Sequence, residues 1–186
     1  FRIRRTQIHV YASIAITTGD EIMSSRSNDS TAQITKFFEA GKAMDEEHGW
    51  VSQDAEGDTK MKILAIDETN KSMDLLLWLS TESTFGSGKH THGGETYVYV
   101  IEGGYSLTAY TDFDDQEGKI TWYGKGDFVY QPFGQIHTES LGSEHTLLYV
   151  SNRCIHEETI FEGFDEKGSV AVTEKISDIR NMLHVQ

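Results

Sequence analysis

The chain has 186 residues, 37% hydrophobic and 11% aromatic, with 30 acidic against 16 basic residues and a formal charge of -14. That length and apolar content suit one folded domain and exclude a disordered chain, and the lack of any 18-residue apolar run excludes a membrane-spanning helix. The negative charge argues against nucleic acid, whose binding relies on clustered lysine and arginine.

The chain opens on Phe1-Arg-Ile-Arg-Arg and then "IHVYASIAI", a basic-then-apolar texture like that of a secretory signal. Gln7 and His9 interrupt it and no small-residue cleavage site is clear, so an ordinary strand and a cytoplasmic location are expected. A polar stretch, "SSRSNDSTA" at 24–32, approaches a predicted helix from Ser30 to Glu47, with Ile34, Phe37, Phe38, Ala40 and Met44 at helical spacing. These residues, 1–47, form the expected leader strand and helix.

From Trp50 onward the texture changes to short β-branched or alternating runs bounded by Gly, Asp and Asn: "MKILAID", "SMDLLLWLS", "TYVYVIEG", "YSLTAYTD", "KITWYG", "DFVYQP", "EHTLLYVS" and "SVAVTE". With no helix-length pattern between them, they predict an all-β antiparallel sandwich or barrel over residues 48–172. The tail, 173–186, contains "KISDIRNMLHVQ" and is read as helical.

Chemistry concentrates in "GSGKHTHGGETYVYVIEGG". On a strand, residues two apart face one side, so His90 and His92 project two imidazoles together. Gly93 and Gly94 let the chain turn closely there. A third ligand is offered by "GKGDFVYQPFGQIHTES", in which Pro132 and Gly134 make a turn and His137 begins the next strand. Three imidazoles suit iron, copper, nickel, zinc or manganese and leave coordination positions open. His9, His48, His145, His156 and His184 have no such partners. Cys154, the single cysteine, excludes an internal disulfide and a cysteine-rich zinc site and reads as an inert thiol. The acidic stretch "TDFDDQEG" lacks a calcium-loop spacing and reads as a solvated hairpin loop.

These two histidine segments resemble the paired motifs of the cupin superfamily. Gly126, Pro132, Gly134 and His137 match the second motif, with Leu141 where an Asn often stands; His90, His92 and Gly103 match the first, with Thr84 at its leading Gly and Thr96 at its glutamate. Glu95 stands one place early. Either a bulge turns it to the metal as a fourth ligand and catalytic candidate, or the site is three histidines alone, the preferred reading. The resemblance implies a double-stranded β-helix, jelly-roll barrel with a short N-terminal helix and a C-terminal helix.

Over residues 48–152 the chain is similar to the group containing 2,4'-dihydroxyacetophenone dioxygenase and acetylacetone-cleaving dioxygenase. That likeness implies a mononuclear, non-haem Fe(II)-type centre, with Zn, Ni, Mn or Cu also suited, that uses dioxygen to cleave a C–C bond of a small diketone or hydroxyketone. It further implies a homodimer. Phe85, Tyr105, Trp122, Tyr130 and Phe133 are the candidate pocket walls, or else plain core. The alternatives are a metal-dependent lyase or isomerase, and a cupin that binds metal or small molecule without turnover.

Overall fold

The computed structural model describes residues 34–36, 49–155 and 157–183. In chain order the strands are β1 (Ile34–Lys36), β2 (Val51–Ser52), β3 (Thr59–Asp67), β4 (Ser72–Leu79), β5 (His90–Thr91), β6 (Gly94–Glu102), β7 (Gly104–Ala109), β8 (Lys119–Gly124), β9 (Phe128–Gln131), β10 (His137–Leu141), β11 (Thr146–Cys154), β12 (Thr159–Phe164) and β13 (Val170–Lys175). One helix, α1 (Ile176–Leu183), follows.

Two antiparallel sheets result. The first runs β1-β3-β4-β11-β6-β9, with β2 also on β3; the second runs β13-β12-β5-β10-β7-β8. From β4 to β7, and again from β8 to β12, each successive strand lies in the other sheet. This repeated crossing is the jelly-roll arrangement expected from the sequence. It also brings together residues distant in the chain, which is how β5 comes to lie beside β10.

Strand alternation supplies the core. On β6, Gly94, Thr96, Val98 and Val100 are buried while the residues between them are not. Val98 and Val100 join Met61, Ile63, Leu75, Leu77, Leu148 and Val150 from the same sheet, and Tyr105, Leu107 and Ile160 from the other, in one apolar cluster. Full burial of each such aliphatic side chain stabilises the fold by about 1.5–3 kcal/mol.

The helix expected over 30–47 falls mostly outside the described residues, and its described part differs. Residues 34–36 form β1, whose backbone pairs Ile34 with Asp67 and Lys36 with Ala65 on β3. An open strand edge offers hydrogen bonds that override a local helical pattern. At the other end α1 forms as expected, with Ile176 and Ile179 buried and Asp178 in its first turn, where the helix dipole favours an acid. The side chains of Arg180 on α1 and Glu68 form an ion pair. Among the described residues no helix is long and apolar enough to cross a membrane.

Candidate metal centre

His90 and His137 sit directly opposite each other in the β5–β10 pairing. His92 follows as the chain leaves β5 for β6, in the other sheet. That crossing is tight: a Cβ at Gly93 would overlap the Thr159 carbonyl, and one at Gly94 the Arg153 carbonyl. Both glycines are thus required by close backbone approach. The turn from Pro132 to Gln135, closed by the Gln135 N–H on the Pro132 carbonyl at 3.2 Å, has Gly134 at φ 72°, a conformation that favours glycine. Gly134 also donates its N–H to the His92 carbonyl, 3.4 Å, so the turn that launches β10 is tied to the first histidine segment.

The three rings converge. His90 and His137 have centroids 4.2 Å apart, His92 and His137 5.1 Å, and His90 and His92 5.5 Å. One nitrogen from each lies within 4.8 Å of the others. The Nδ1 atoms face backbone carbonyls: Gly88 for His90 at 2.8 Å, Ile160 for His92 at 2.9 Å, and Gln135 for His137 at 2.8 Å. A carbonyl can only accept, so each Nδ1 carries the proton and each Nε2 keeps a free lone pair. The backbone therefore fixes the tautomer that a metal requires.

Electrostatics agree with that assignment. Burial, and then the neighbouring His90, lower the His92 pKa to about 4, and burial followed by His90 and His92 lowers that of His137 to about 2. Among the described residues the buried Nε2 of His137 has no hydrogen-bond partner. An unpaired imidazole nitrogen inside a protein costs free energy. Three neutral imidazoles sharing a point fit a divalent transition metal, and this group could hold one.

A carboxylate and a carboxamide accompany the histidines, and neither was foreseen. Glu139 lies two residues beyond His137 on β10, and its Oε2 is 3.9 Å from His90 Nε2, beside the three-histidine group rather than within it. Burial raises its pKa. Gln131, at the end of β9 and 1% exposed, donates from Nε2 to Glu139 Oε1 at 3.2 Å. Both line a cavity between the sheets with His92, Thr96, Asn152, Glu174, Phe85, Phe161 and a set of apolar residues. Thr96 donates to Asn152 Oδ1 at 2.9 Å on the same wall. Phe161 stacks on His90 with centroids 4.8 Å apart and buttresses it.

The other expected site residues divide. Phe85 does line the cavity. Tyr105 is core, 1% exposed. Trp122, Tyr130 and Phe133 are 57%, 50% and 49% exposed, so these three are corrected from walls to outer surface. Parity explains two of them: Tyr123 packs inward on Tyr105, turning Trp122 out, and Gln131 and Val129 face in, turning Tyr130 out. Glu95 is not brought to the histidines. It lies between the inward-facing Gly94 and Thr96, and accepts from the hydroxyls of Tyr97 at 2.9 Å and Tyr130 at 3.0 Å.

Other features stay apart from the centre. His145 stacks on Trp78 and approaches Glu102 at 3.4 Å on the surface, and His9, His48, His156 and His184 fall outside the described residues. Burial, then Glu158, pushes the Cys154 thiol up to about 11, in line with an inert role. In the loop 111–118, Asp115 accepts backbone N–H groups of Thr111, Glu117 and Gly118, and Lys89 donates to the Phe113 and Asp115 carbonyls.

No family model matches the sequence, and no curated protein matches it. Solved structures do match. An acetylacetone dioxygenase from Acinetobacter johnsonii superposes with a TM-score of 0.60 at 11% identity, covering 88% of this chain and 99% of that one. An RmlC-like cupin protein from Ralstonia eutropha JMP134 gives 0.56 at 18% identity, over 73% and 80% of the two chains. A protein of unknown function with a cupin-like fold, from the same organism, gives 0.51 at 18%, over 69% and 72%. Likeness at these identities speaks for architecture, and it agrees with the crossing two-sheet topology: the chain has the cupin fold.

Proposed function

We propose that the protein is a mononuclear, non-haem metal-dependent dioxygenase that cleaves a C–C bond of a small diketone or hydroxyketone, with His90, His92 and His137 as the metal ligands. The observation that carries the reading is the convergence of three Nε2 lone pairs, each preset by a carbonyl on Nδ1, with His92 on the wall of a largely apolar cavity. The similarity in architecture to an acetylacetone dioxygenase supports it. Fe(II) is the metal expected. Such an ion supplies Lewis acidity toward a ketone oxygen and reactivity toward dioxygen.

The chain's own residues do the rest. The Gly88, Ile160 and Gln135 carbonyls orient the ligands, Phe161 holds His90 in place, and the aliphatic wall excludes water around the ketone. For a 1,3-diketone the balance is one dioxygen consumed, with a carboxylic acid and a 2-oxoaldehyde formed, so that both oxygen atoms enter product.

The test is oxygen uptake. Protein loaded anaerobically with Fe(II) and mixed with a 1,3-diketone panel in air-saturated buffer is expected to consume oxygen in step with ketone loss, and Zn(II)-loaded protein none. Ketone turnover without oxygen uptake would replace this reading with a lyase or isomerase. Neither change, with Fe(II) retained, would leave a binding module.

A further inference from the structure

Among the polar side chains that line the cavity, Gln131 has hydrogen-bonding capacity left over. Gln131 is 1% exposed, one arm of its carboxamide is engaged by Glu139 at 3.2 Å, and among the described residues the other arm, Oε1, is buried without a partner. A protein interior is an expensive place for an orphaned amide oxygen. Strand alternation, set by Val129 in the core, turns the glutamine inward and leaves Phe128 and Tyr130 exposed. The Glu139 carboxyl beside it stands between this amide and His90. No lysine or arginine lines the cavity among the described residues, and the acidic side chains on its wall, Glu139 and Glu174, both have pKa values raised first by burial, so the wall has no cation to pair with an anionic ligand.

We infer that the Gln131–Glu139 pair is a hydroxyl-recognising subsite, which receives the O–H of an uncharged, largely apolar ketone bound beside the three histidines. This rests on the small-ketone reading above and narrows it, because it favours hydroxyketones over ketones without a donor. The pairing works through acceptors: Gln131 Oε1 has a lone pair free for an incoming O–H, and Glu139 fixes the amide so that this oxygen stays in place. A site built this way rejects an isostere lacking the hydroxyl, because the amide oxygen then remains unpaired.

The experiment measures binding of two probes of equal size, phenacyl alcohol and propiophenone, to Zn(II)-loaded protein by calorimetric titration. Zinc is redox-inert, so no turnover intervenes. The alcohol also has the better chelating group, and that preference belongs to the metal; it is present in every variant and cancels when ratios are compared. Wild type is expected to prefer the alcohol, and Gln131→Met to shrink that preference roughly tenfold, with propiophenone binding held. Glu139→Gln, which loosens the amide's anchor, is expected to shrink it less.

Equal preference in wild type and Gln131→Met, with both proteins folded by circular dichroism and equally zinc-loaded, overturns the inference. So does failure of wild type to bind the alcohol. Should Gln131→Met not fold, a wild-type preference unchanged in Glu139→Gln decides against it in the same way. The two proposals fail separately: intact hydroxyl preference without oxygen uptake sinks only the dioxygenase, and oxygen uptake with equal preference sinks only this subsite.

Discussion

Gly86 makes room for Glu139: the Glu139 N–H donates to the Gly86 carbonyl at 2.8 Å, and a Cβ on residue 86 would overlap the Glu139 carboxylate. Gly86 also has φ 73°, where a side chain is strained. Gly86→Ala is therefore expected to lower stability by about 1–2 kcal/mol from backbone strain and to displace the carboxylate. Zinc content should stay near the wild-type level, since no imidazole is touched. Urea unfolding and metal analysis on one preparation check both halves, and loss of zinc would place Glu139 nearer the ion than its 3.9 Å from His90 suggests.

Removing an imidazole is expected to act differently. His90→Ala, His92→Ala and His137→Ala should each weaken zinc binding by at least about a hundredfold, since two histidines hold an ion poorly and the outer-shell partners alone are worth 10- to 100-fold. Competition titration against a chromogenic chelator measures this. Near-wild-type affinity in any one of the three would remove that residue from the ligand set.

Much of this centre was legible because strand alternation is a rigid rule. His90 and His92 are two apart, and the Pro-x-Gly turn before His137 fixes where the third ring begins. The same rule reaches Glu139, two residues beyond His137 and so on the same side of β10. Gln131 was less accessible: in Phe-Val-Tyr-Gln the apolar residues argue for Phe and Tyr inside, and only the packing of Val129 in the core decides for the opposite parity. Strand β1 was hidden for another reason, since its pairing with β3 is a long-range event that no local pattern announces.

Glu95 provides a control. Its carboxylate is held by Tyr97 and Tyr130 on the outer side of β6, away from the histidines. Glu95→Gln is expected to leave zinc content unchanged and stability within about 0.5 kcal/mol, as for a surface substitution. A loss of metal would mean that the strand can bulge to bring residue 95 inward.

The buried histidines also set how stability depends on pH when metal is absent. Unfolded, His92 and His137 take a proton near 6.5, but folded they resist until about 4 and about 2. Below 6.5 the unfolded chain thus binds more protons, and stability present above that pH is lost as pH falls, at up to about 1.4 kcal/mol per unit and per group. Glu139 runs the other way: burial raises its pKa above 4.5, so the stability it contributes is present at low pH and lost as pH rises through its folded value. The cleanest measure is therefore a difference. Urea unfolding of chelator-treated wild type and His92→Ala between pH 6.5 and 4 should give a shallower loss for the variant, by a few kcal/mol across the range, while Glu139 contributes alike to both. Parallel curves would mean that His92 takes its proton as readily in the folded protein as in the unfolded chain, against the burial that lowers its pKa.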